Sequence, residues 1–333
     1  MAKRPLTQCL LAALTFAACA SSAVIVTTAE AAPQTAPSQK RTVAGYYRLM
    51  LGKFEVTALS DGTVTIPLNQ LLTHGSQNEI NDVMRRAGVD PANTETSINA
   101  FLIHTGSRLA LIDAGAGTVF PNGGHLAASL RAAGYRPEDI TDVMLTHIHP
   151  DHSAGLTIKG KAVFPNATVH VQERDAAFWL DANNANAYPQ HAHAFAQARL
   201  DLAPYLKAGR VRRFGGDEEL VPGVRAVAAP GHTPGHSFYA VESEGQKLLL
   251  WGDLIHGKDA QFHAPGIAIQ FDVDETAAAA QRARAMADAA ANGYLVGAAH
   301  ISFPGIGRVV REGASYLWMP VNYSEAGLRH QTK

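Results

Sequence analysis

The interpretation of this sequence starts from one stretch, His147-Ile148-His149-Pro150-Asp151-His152. By residue type, four of its six side chains are metal ligands, and the apolar run 143–145 leads directly into them. Such a run is typical of a buried strand, so we expect the four side chains on the loop at its carboxyl end. A proline at the centre argues against a helix, and two imidazoles one residue apart suit an extended turn. The stretch therefore predicts half of a metal site.

The remaining ligands must come from elsewhere in the chain, because a single loop cannot close a coordination sphere. Three further side chains end apolar, strand-like runs in the same way: His232 after 224–229, Asp253 after 247–252, and His300 after 294–299. The carboxyl ends of neighbouring strands are thus expected to bring all seven side chains together.

Composition narrows the class of protein. The chain has 333 residues, of which 47% are hydrophobic and 17% charged, enough for a large core. A formal net charge of -1 gives no overall attraction to nucleic acid or to an anionic membrane surface. These values favour an enzyme that acts on a small molecule and does not bind nucleic acid.

The amino terminus is predicted to be a secretory signal over residues 1–31. Lys3 and Arg4 precede the apolar stretch 10–20, and Ala29-Glu30-Ala31 has the small residues of a cleavage site. The alternative is a membrane anchor, but polar residues interrupt the apolar run, and no membrane span is expected in the mature chain. We therefore expect an exported protein, periplasmic or secreted.

After cleavage, residues 32–45 are expected to form a flexible leader and residues 46–333 a single domain. Cys9 and Cys19 are the only cysteines, and both lie in the segment to be removed. Cys19 matches a lipoprotein acceptor poorly. The mature chain would thus have neither disulfides nor thiolate ligands, and nitrogen and oxygen donors would hold any metal.

The rest of the chain predicts two runs of strands, with helices after each run. The first run has strands near 47–51, 54–59, 100–104, 109–113, 143–145 and 168–171, and the second near 211–213, 224–229, 237–243, 247–252 and 294–300. Helices are expected near 79–87, 126–133, 173–180, 193–206 and 275–291. Two similar halves of this kind indicate an α/β (α+β) fold, a four-layer αββα sandwich with helices outside and sheets facing.

The seven candidate ligands, in this order and with these spacings, resemble those of the metallo-β-lactamase superfamily. Further stretches resemble its methyl parathion hydrolases and lactonase-like relatives: 45–48, 59–63, 231–236, 302–307 and 320–324. The resemblance implies the four-layer αββα fold and hydrolysis. Two positions refine it: Asp253 stands where a bridging carboxylate is expected, and His149 stands where redox di-iron members have a carboxylate. Antibiotic hydrolysis and oxygen chemistry are therefore less favoured.

The resemblance also implies a role for each ligand. His147, His149 and His232 would bind one metal ion, Asp151, His152 and His300 the other, and Asp253 would bridge both. Asp113 resembles a carboxylate that orients a ligand histidine; a turn aspartate in Asp113-Ala114-Gly115 is the open alternative.

Two divalent cations are therefore the expected cofactors. Zinc is the leading choice on nitrogen and oxygen donors, with manganese, iron or cobalt as alternatives. Two such ions can lower the pKa of a shared water to about 7, supply a bridging hydroxide as nucleophile and polarise a carbonyl or phosphoryl oxygen. Asp151 and Asp253 are the expected catalytic side chains, with Asp151 a candidate proton donor to a leaving alkoxide.

The substrate pocket is predicted to be apolar and aromatic. Its candidate lining residues, each with core packing or the surface as the open alternative, are Leu72, Phe120, Trp179, His256, Ile269 and Phe271. No cluster of Lys or Arg accompanies them, so we expect a small, neutral, hydrophobic ester or lactone as substrate, with a neutral phosphotriester as the alternative. The segment that contains His191 and His193 is expected to fold over the site.

Two interpretations from other classes stay open. One is a non-catalytic metal-binding protein, and the other is an oxidoreductase that uses iron on this scaffold. The apolar residues near the carboxyl end are expected either in the core or on a homodimer face: Ile301, Phe303, Tyr316, Leu317 and Trp318.

Overall fold

The computed structural model describes residues 43–324 and Leu328. The predicted signal, residues 1–31, and most of the predicted leader lie outside the described residues. The strands, in chain order, are β1 (Tyr46–Leu51), β2 (Phe54–Ile66), β3 (Leu72–Thr73), β4 (Thr94–His104), β5 (Leu109–Ile112), β6 (Asp142–Met144), β7 (Thr157–Ile158), β8 (Lys161–Ala162), β9 (Thr168–Gln172), β10 (Val211–Phe214), β11 (Glu218–Val221), β12 (Val224–Ala228), β13 (Ser237–Ser243), β14 (Gln246–Leu250), β15 (Ala268–Ile269), β16 (Leu295–Gly297), β17 (Ile306–Glu312) and β18 (Ser315–Pro320).

The α-helices lie between groups of these strands along the chain. They are α1 (Leu68–Leu71), α2 (Gln77–Arg86), α3 (Leu126–Ala132), α4 (Pro150–Ser153), α5 (Glu173–Leu180), α6 (Ala182–Ala187), α7 (Ala192–Lys207), α8 (Lys258–His263) and α9 (Glu275–Asn292). In the described part of the chain, none of these helices has the length and apolar character needed to cross a bilayer.

Two seven-stranded sheets form the centre of the fold. The first has the strand order β1-β2-β4-β5-β6-β9-β10, and the second has the order β11-β12-β13-β14-β16-β17-β18. In the first sheet the pairs from β1 to β5 are antiparallel, and those from β5 to β10 are parallel. The parallel strands β5, β6 and β9 therefore end at the same edge of the sheet.

The directions of successive side chains along each strand show what packs on the two faces of each sheet. Successive side chains of a strand point to opposite faces, so Phe101 of β4 packs between the sheets while Leu102 packs against the helices. In the second sheet Tyr239 of β13 faces the first sheet, and Phe238 packs on the side that holds α8 and α9. The layers are helix, sheet, sheet and helix, which confirms the predicted αββα sandwich.

The hairpin β17–β18 was not predicted from the sequence. It extends the second sheet beyond β16, with Gly307 opposite Pro320 and Glu312 opposite Ser315. Some residues near the carboxyl end were expected either in the core or on a homodimer face. Of these, Ile301 and Tyr316 are buried in the core beside α8 and α9, and Leu317 is exposed.

Candidate metal centre

The His147–His152 stretch begins just after β6, and its local structure differs from the prediction. His147 and His149 lie in extended or irregular backbone, but Pro150 is the first residue of the short helix α4. Proline is well tolerated there, because the first residue of a helix has no internal acceptor for its N–H. Asp151 and His152 therefore project from a helical turn, and the expectation that Pro150 excludes a helix here was wrong.

The second sheet supplies the other three ligand candidates. His232 follows β12, Asp253 follows β14, and His300 follows β16. Close packing fixes the turn before Asp253: at Gly252, whose φ is 51°, a Cβ would lie 2.8 Å from the Nε2 of His236. A side chain there would collide with that ring, so the turn requires glycine.

One group of donors consists of three imidazoles and a carboxylate. Nδ1 of His149 lies 3.0 Å from Nε2 of His147 and 3.0 Å from Nε2 of His232. Oδ2 of Asp253 lies 3.6 Å from Nε2 of His147 and 3.3 Å from Nε2 of His232. All four side chains are buried, and their donor atoms surround one point.

A second group shares the same carboxylate. Oδ1 of Asp253 lies 2.9 Å from Nε2 of His152 and 3.1 Å from Nε2 of His300. Oδ2 of Asp151 lies 3.5 Å and 3.3 Å from the same two ring nitrogens. The two oxygens of Asp253 thus face different groups, as a bridging carboxylate requires.

Both groups fit a divalent cation. Ligand nitrogens about 2.0–2.1 Å from a tetrahedral zinc lie about 3.3 Å from one another, close to the separations seen here. Within the described residues, Nε2 of His152 and Oδ1 of Asp253 are buried without a hydrogen-bond partner. A neutral His152 that donates from Nδ1 to Asp113 presents a lone pair at Nε2, so two acceptors face one point, and a cation satisfies both. The structure supports a dinuclear site.

In His152, His232 and His300, the ring nitrogen that points away from the other donors has a hydrogen-bond partner. Nδ1 of His152 lies 2.9 Å from Oδ2 of Asp113, as the resemblance implied, and Nδ1 of His300 lies 2.8 Å from the carbonyl oxygen of Ser97. Nδ1 of His232 lies 2.7 Å from Oδ1 of Asp272. Asp272 was missed from the sequence, because no local pattern marks it as the partner of a histidine 40 residues away.

Asp272→Asn is expected to weaken metal binding by about 10–100-fold, because an amide no longer supplies the charged acceptor that fixes the tautomer of His232. Competition titration with a chromophoric chelator measures the change. Asp274→Asn changes a nearby exposed helix cap and is the control. Wild-type affinity in the Asp272 variant would show that the contact does not orient the ligand.

Without a cation, the charges in the site keep some donors in the form that binds a metal and keep His152 and His300 protonated. Burial alone would raise the pKa of Asp253, but His152 and His300 more than offset this and hold it well below the usual aspartate range. Burial, reinforced by the charge of His152, lowers the pKa of His147. Burial would also lower the pKa of His300, yet the charge of Asp253 raises it to about 10. Metal binding must therefore displace a proton from His300.

Asp175 contacts two loops that carry ligand candidates. It was not identified from the sequence. Its carboxylate accepts hydrogen bonds from the backbone N–H of Ile148, at 2.9 Å, and of Gly235, at 2.6 Å. Burial raises the pKa of Asp175 to about 6. One side chain thus ties the loop of His147 and His149 to the loop of His232.

A cavity of about 250 Å³ opens onto the ligands. Of the predicted pocket residues, Phe120, His256 and Phe271 line it, and His191 and His193 also line it. Strand alternation could have identified two lining residues that were missed, Val64 and Ile66 of β2. The cavity also includes Asp151, Asp253 and His300, so both donor groups face it.

Three predicted pocket residues belong to the core. Leu72 and Ile269 pair across β3 and β15 and are fully buried against Ile80 and neighbouring side chains. Trp179 is also fully buried, with its ring 4.9 Å from that of His149 and 4.6 Å from that of Phe195. Trp179 packs against the ring of His149 and does not line the cavity.

Comparison with known proteins gives a consistent result. The model of the metallo-beta-lactamase superfamily matches residues 93–292. Hydrolase AbOPH, a solved structure in the beta lactamase superfamily, is 35% identical over 85% of this chain and 100% of that chain, with a TM-score of 0.81. AidC, a dizinc quorum-quenching lactonase, is 28% identical over 84% of this chain and 98% of that chain, with a TM-score of 0.78.

Among curated proteins, an N-acyl homoserine lactonase of Bacillus sp is 30% identical over 121 residues, 36% of this chain. The aligned part spans 40% of that relative, about two fifths of its length. The region that the family model matches includes the His147–His152 stretch, His232 and Asp253. The fold and the donor set agree with membership of that family. The chain therefore belongs to the metallo-β-lactamase superfamily.

Proposed function

We propose that the protein is a dinuclear metal-dependent hydrolase that opens lactones or cleaves aryl esters. The observation that carries this proposal is one carboxylate, Asp253, shared by two groups of buried donors at the floor of an apolar cavity. A non-catalytic metal site is usually closed by its four ligands, whereas both groups here face a space large enough for a substrate. Zinc is the proposed metal, supported by the dizinc relative.

The lining of the cavity supports a neutral, hydrophobic substrate. Val64, Ile66, Phe120 and Phe271 form apolar walls, and none of the described residues that line it is Lys or Arg. A phosphomonoester or another anion would find no Lys or Arg partner there. The relatives named as lactonases add support for a cyclic ester.

Two divalent cations, when bound, would polarise the carbonyl oxygen of the substrate and make water acidic enough to attack at neutral pH. The residues of the chain do the rest. Asp253 contacts both donor groups and keeps them next to each other. Asp151, at the edge of the cavity, accepts the proton of the attacking water. When the bond from carbonyl carbon to ring oxygen breaks, Asp151 returns that proton to the leaving oxygen.

A panel of purified-enzyme rates tests the proposal. The panel contains dihydrocoumarin, an N-acyl homoserine lactone, a naphthyl ester and methyl parathion, and kcat/KM is measured for each alongside metal content. We expect a lactone or the aryl ester to give the highest value, because the walls of the cavity are apolar and carry no Lys or Arg. A lead of tenfold or more by methyl parathion would establish the phosphotriesterase alternative instead. Two bound metal ions without turnover would indicate a non-catalytic metal-binding protein.

Export to the periplasm or medium is a separate proposal that rests on the pattern of residues 1–31 alone. Fractionation of expressing cells tests it.

A further inference from the structure

Arg282 is a buried cation that the proposed mechanism does not use. It lies in α9, the 18-residue helix that packs on the outer side of the second sheet, and its side chain is fully buried. Burial lowers the pKa of Arg282 to about 10, so the guanidinium stays charged at neutral pH. A buried charge is costly unless it is paired or hydrogen-bonded, so the contacts of this side chain indicate its role.

The first contact of Arg282 is with the turn that carries the shared carboxylate. Its Nε donates a hydrogen bond to the carbonyl oxygen of Leu254, at 2.7 Å, and Leu254 directly follows Asp253. Asp253 departs from helical geometry, with φ of -97° and ψ of 35°. Arg282, Asp253 and His232 also line one small cavity of about 10 Å³. The guanidinium therefore contacts the backbone of this turn close to two ligand candidates.

The other contacts of Arg282 lead to His232. Its Nη1 donates to the carbonyl oxygens of Pro265, at 3.1 Å, and of Ile267, just before β15. Its Nη2 lies 3.8 Å from Oδ2 of Asp272, and both side chains of this ion pair are fully buried. The other oxygen of Asp272 lies 2.7 Å from Nδ1 of His232. Arg282 is thus linked to a second ligand candidate through one carboxylate.

We propose that Arg282 is a positioning residue of the metal centre, whose guanidinium holds Asp253 and the pair of Asp272 and His232 in the arrangement that binds the metal ions. This inference rests on the proposed metal-dependent function. A guanidinium presents five N–H donors in a fixed planar fork, so it can contact carbonyl oxygens of two segments and a carboxylate at once. Lysine has the same charge on a single nitrogen and cannot make this set of contacts.

Charge alone predicts a different result from position. A buried cation near the ligands repels a bound metal ion, so by charge alone Arg282→Met would tighten metal binding and Arg282→Lys would leave it unchanged. If Arg282 acts by position, both substitutions weaken metal binding, because both lose the fork of donors. The two variants therefore separate position from charge.

Competition titration with a chromophoric chelator measures the zinc affinity of each variant, and calorimetry measures its melting temperature. We expect zinc binding about tenfold weaker than wild type in Arg282→Lys, and also weaker than wild type in Arg282→Met. Arg284→Lys makes the same change at an exposed position of α9 and should bind zinc like wild type. Met286→Ala removes a fully buried apolar side chain from the same helix, so it should lower the melting temperature with zinc affinity unchanged.

Wild-type zinc affinity in Arg282→Lys would overturn the positioning role, as would tighter binding in Arg282→Met. Equal weakening in Met286→Ala would also overturn it, because general destabilisation of α9 would then explain the effect. Arg282→Met leaves the buried charge of Asp272 without its partner and can fail to fold, in which case Arg282→Lys, which keeps the charge, decides the question. Failure of the wild-type protein to bind metal ions would instead overturn the proposed function.

Discussion

Asp253→Ala is expected to lower kcat/KM for a lactone by at least about 10³-fold and to reduce the metal content of the purified protein well below two ions per chain. The reason is geometric. Each oxygen of this carboxylate faces a different group of donors, with Oδ2 3.3 Å from Nε2 of His232 and Oδ1 3.1 Å from Nε2 of His300. Alanine removes one ligand from both groups and leaves the five imidazole donors with Asp151 as the single remaining carboxylate of the donor set.

The measurement combines steady-state kinetics with elemental analysis of the same preparation. Asp82→Ala removes an exposed aspartate from α2 and should behave as wild type in both assays. An Asp253 variant with two ions per chain and near wild-type turnover would refute the bridging role.

Removal of the metal ions is expected to abolish turnover and to lower the melting temperature by about 10 °C. A ligand present at about 1,000 times its Kd stabilises the folded state by about 4 kcal/mol, and each kcal/mol changes the melting temperature of a domain of this size by about 2–4 °C. Without the cations, no metal charge offsets the close approach of the buried donor atoms of Asp253 and His147.

Dialysis against a chelator, followed by calorimetry and an activity assay, measures both effects. Added zinc should restore them together. Asp253→Ala is the matched control: its melting temperature should change little on chelation, since it has already lost its ions. Full activity of the wild-type protein after complete chelation would contradict the metal-dependent mechanism.

The ligand candidates were predictable from the sequence because each depends on local order. An apolar run followed by His or Asp places a donor at a strand end wherever the strand lies, and the seven donors do meet. Pro150 was misjudged because proline breaks helices only in their interior, and here it begins one.

The pocket was less predictable, because it depends on how distant segments pack. Leu72 and Ile269 have the residue types of a pocket wall, yet β3 and β15 pair and enclose them in the core. Asp272 and Asp175 are ordinary carboxylates in sequence. Asp272 gains its role when the turn after β15 packs against the loop of His232, and Asp175 gains its role when α5 contacts the loops of Ile148 and Gly235. No local pattern describes these contacts.

The donors are divided between two sheets that are distant in sequence. His149 follows a strand of one sheet, and His232, whose Nε2 lies 3.0 Å from it, follows a strand of the other. Ions held by donors from both sheets would therefore cross-link the two sheets, and separation of the sheets would first have to break the metal–ligand bonds. Such ions would stabilise the contact between the sheets in addition to their chemical role, so we expect loss of the ions to weaken that contact.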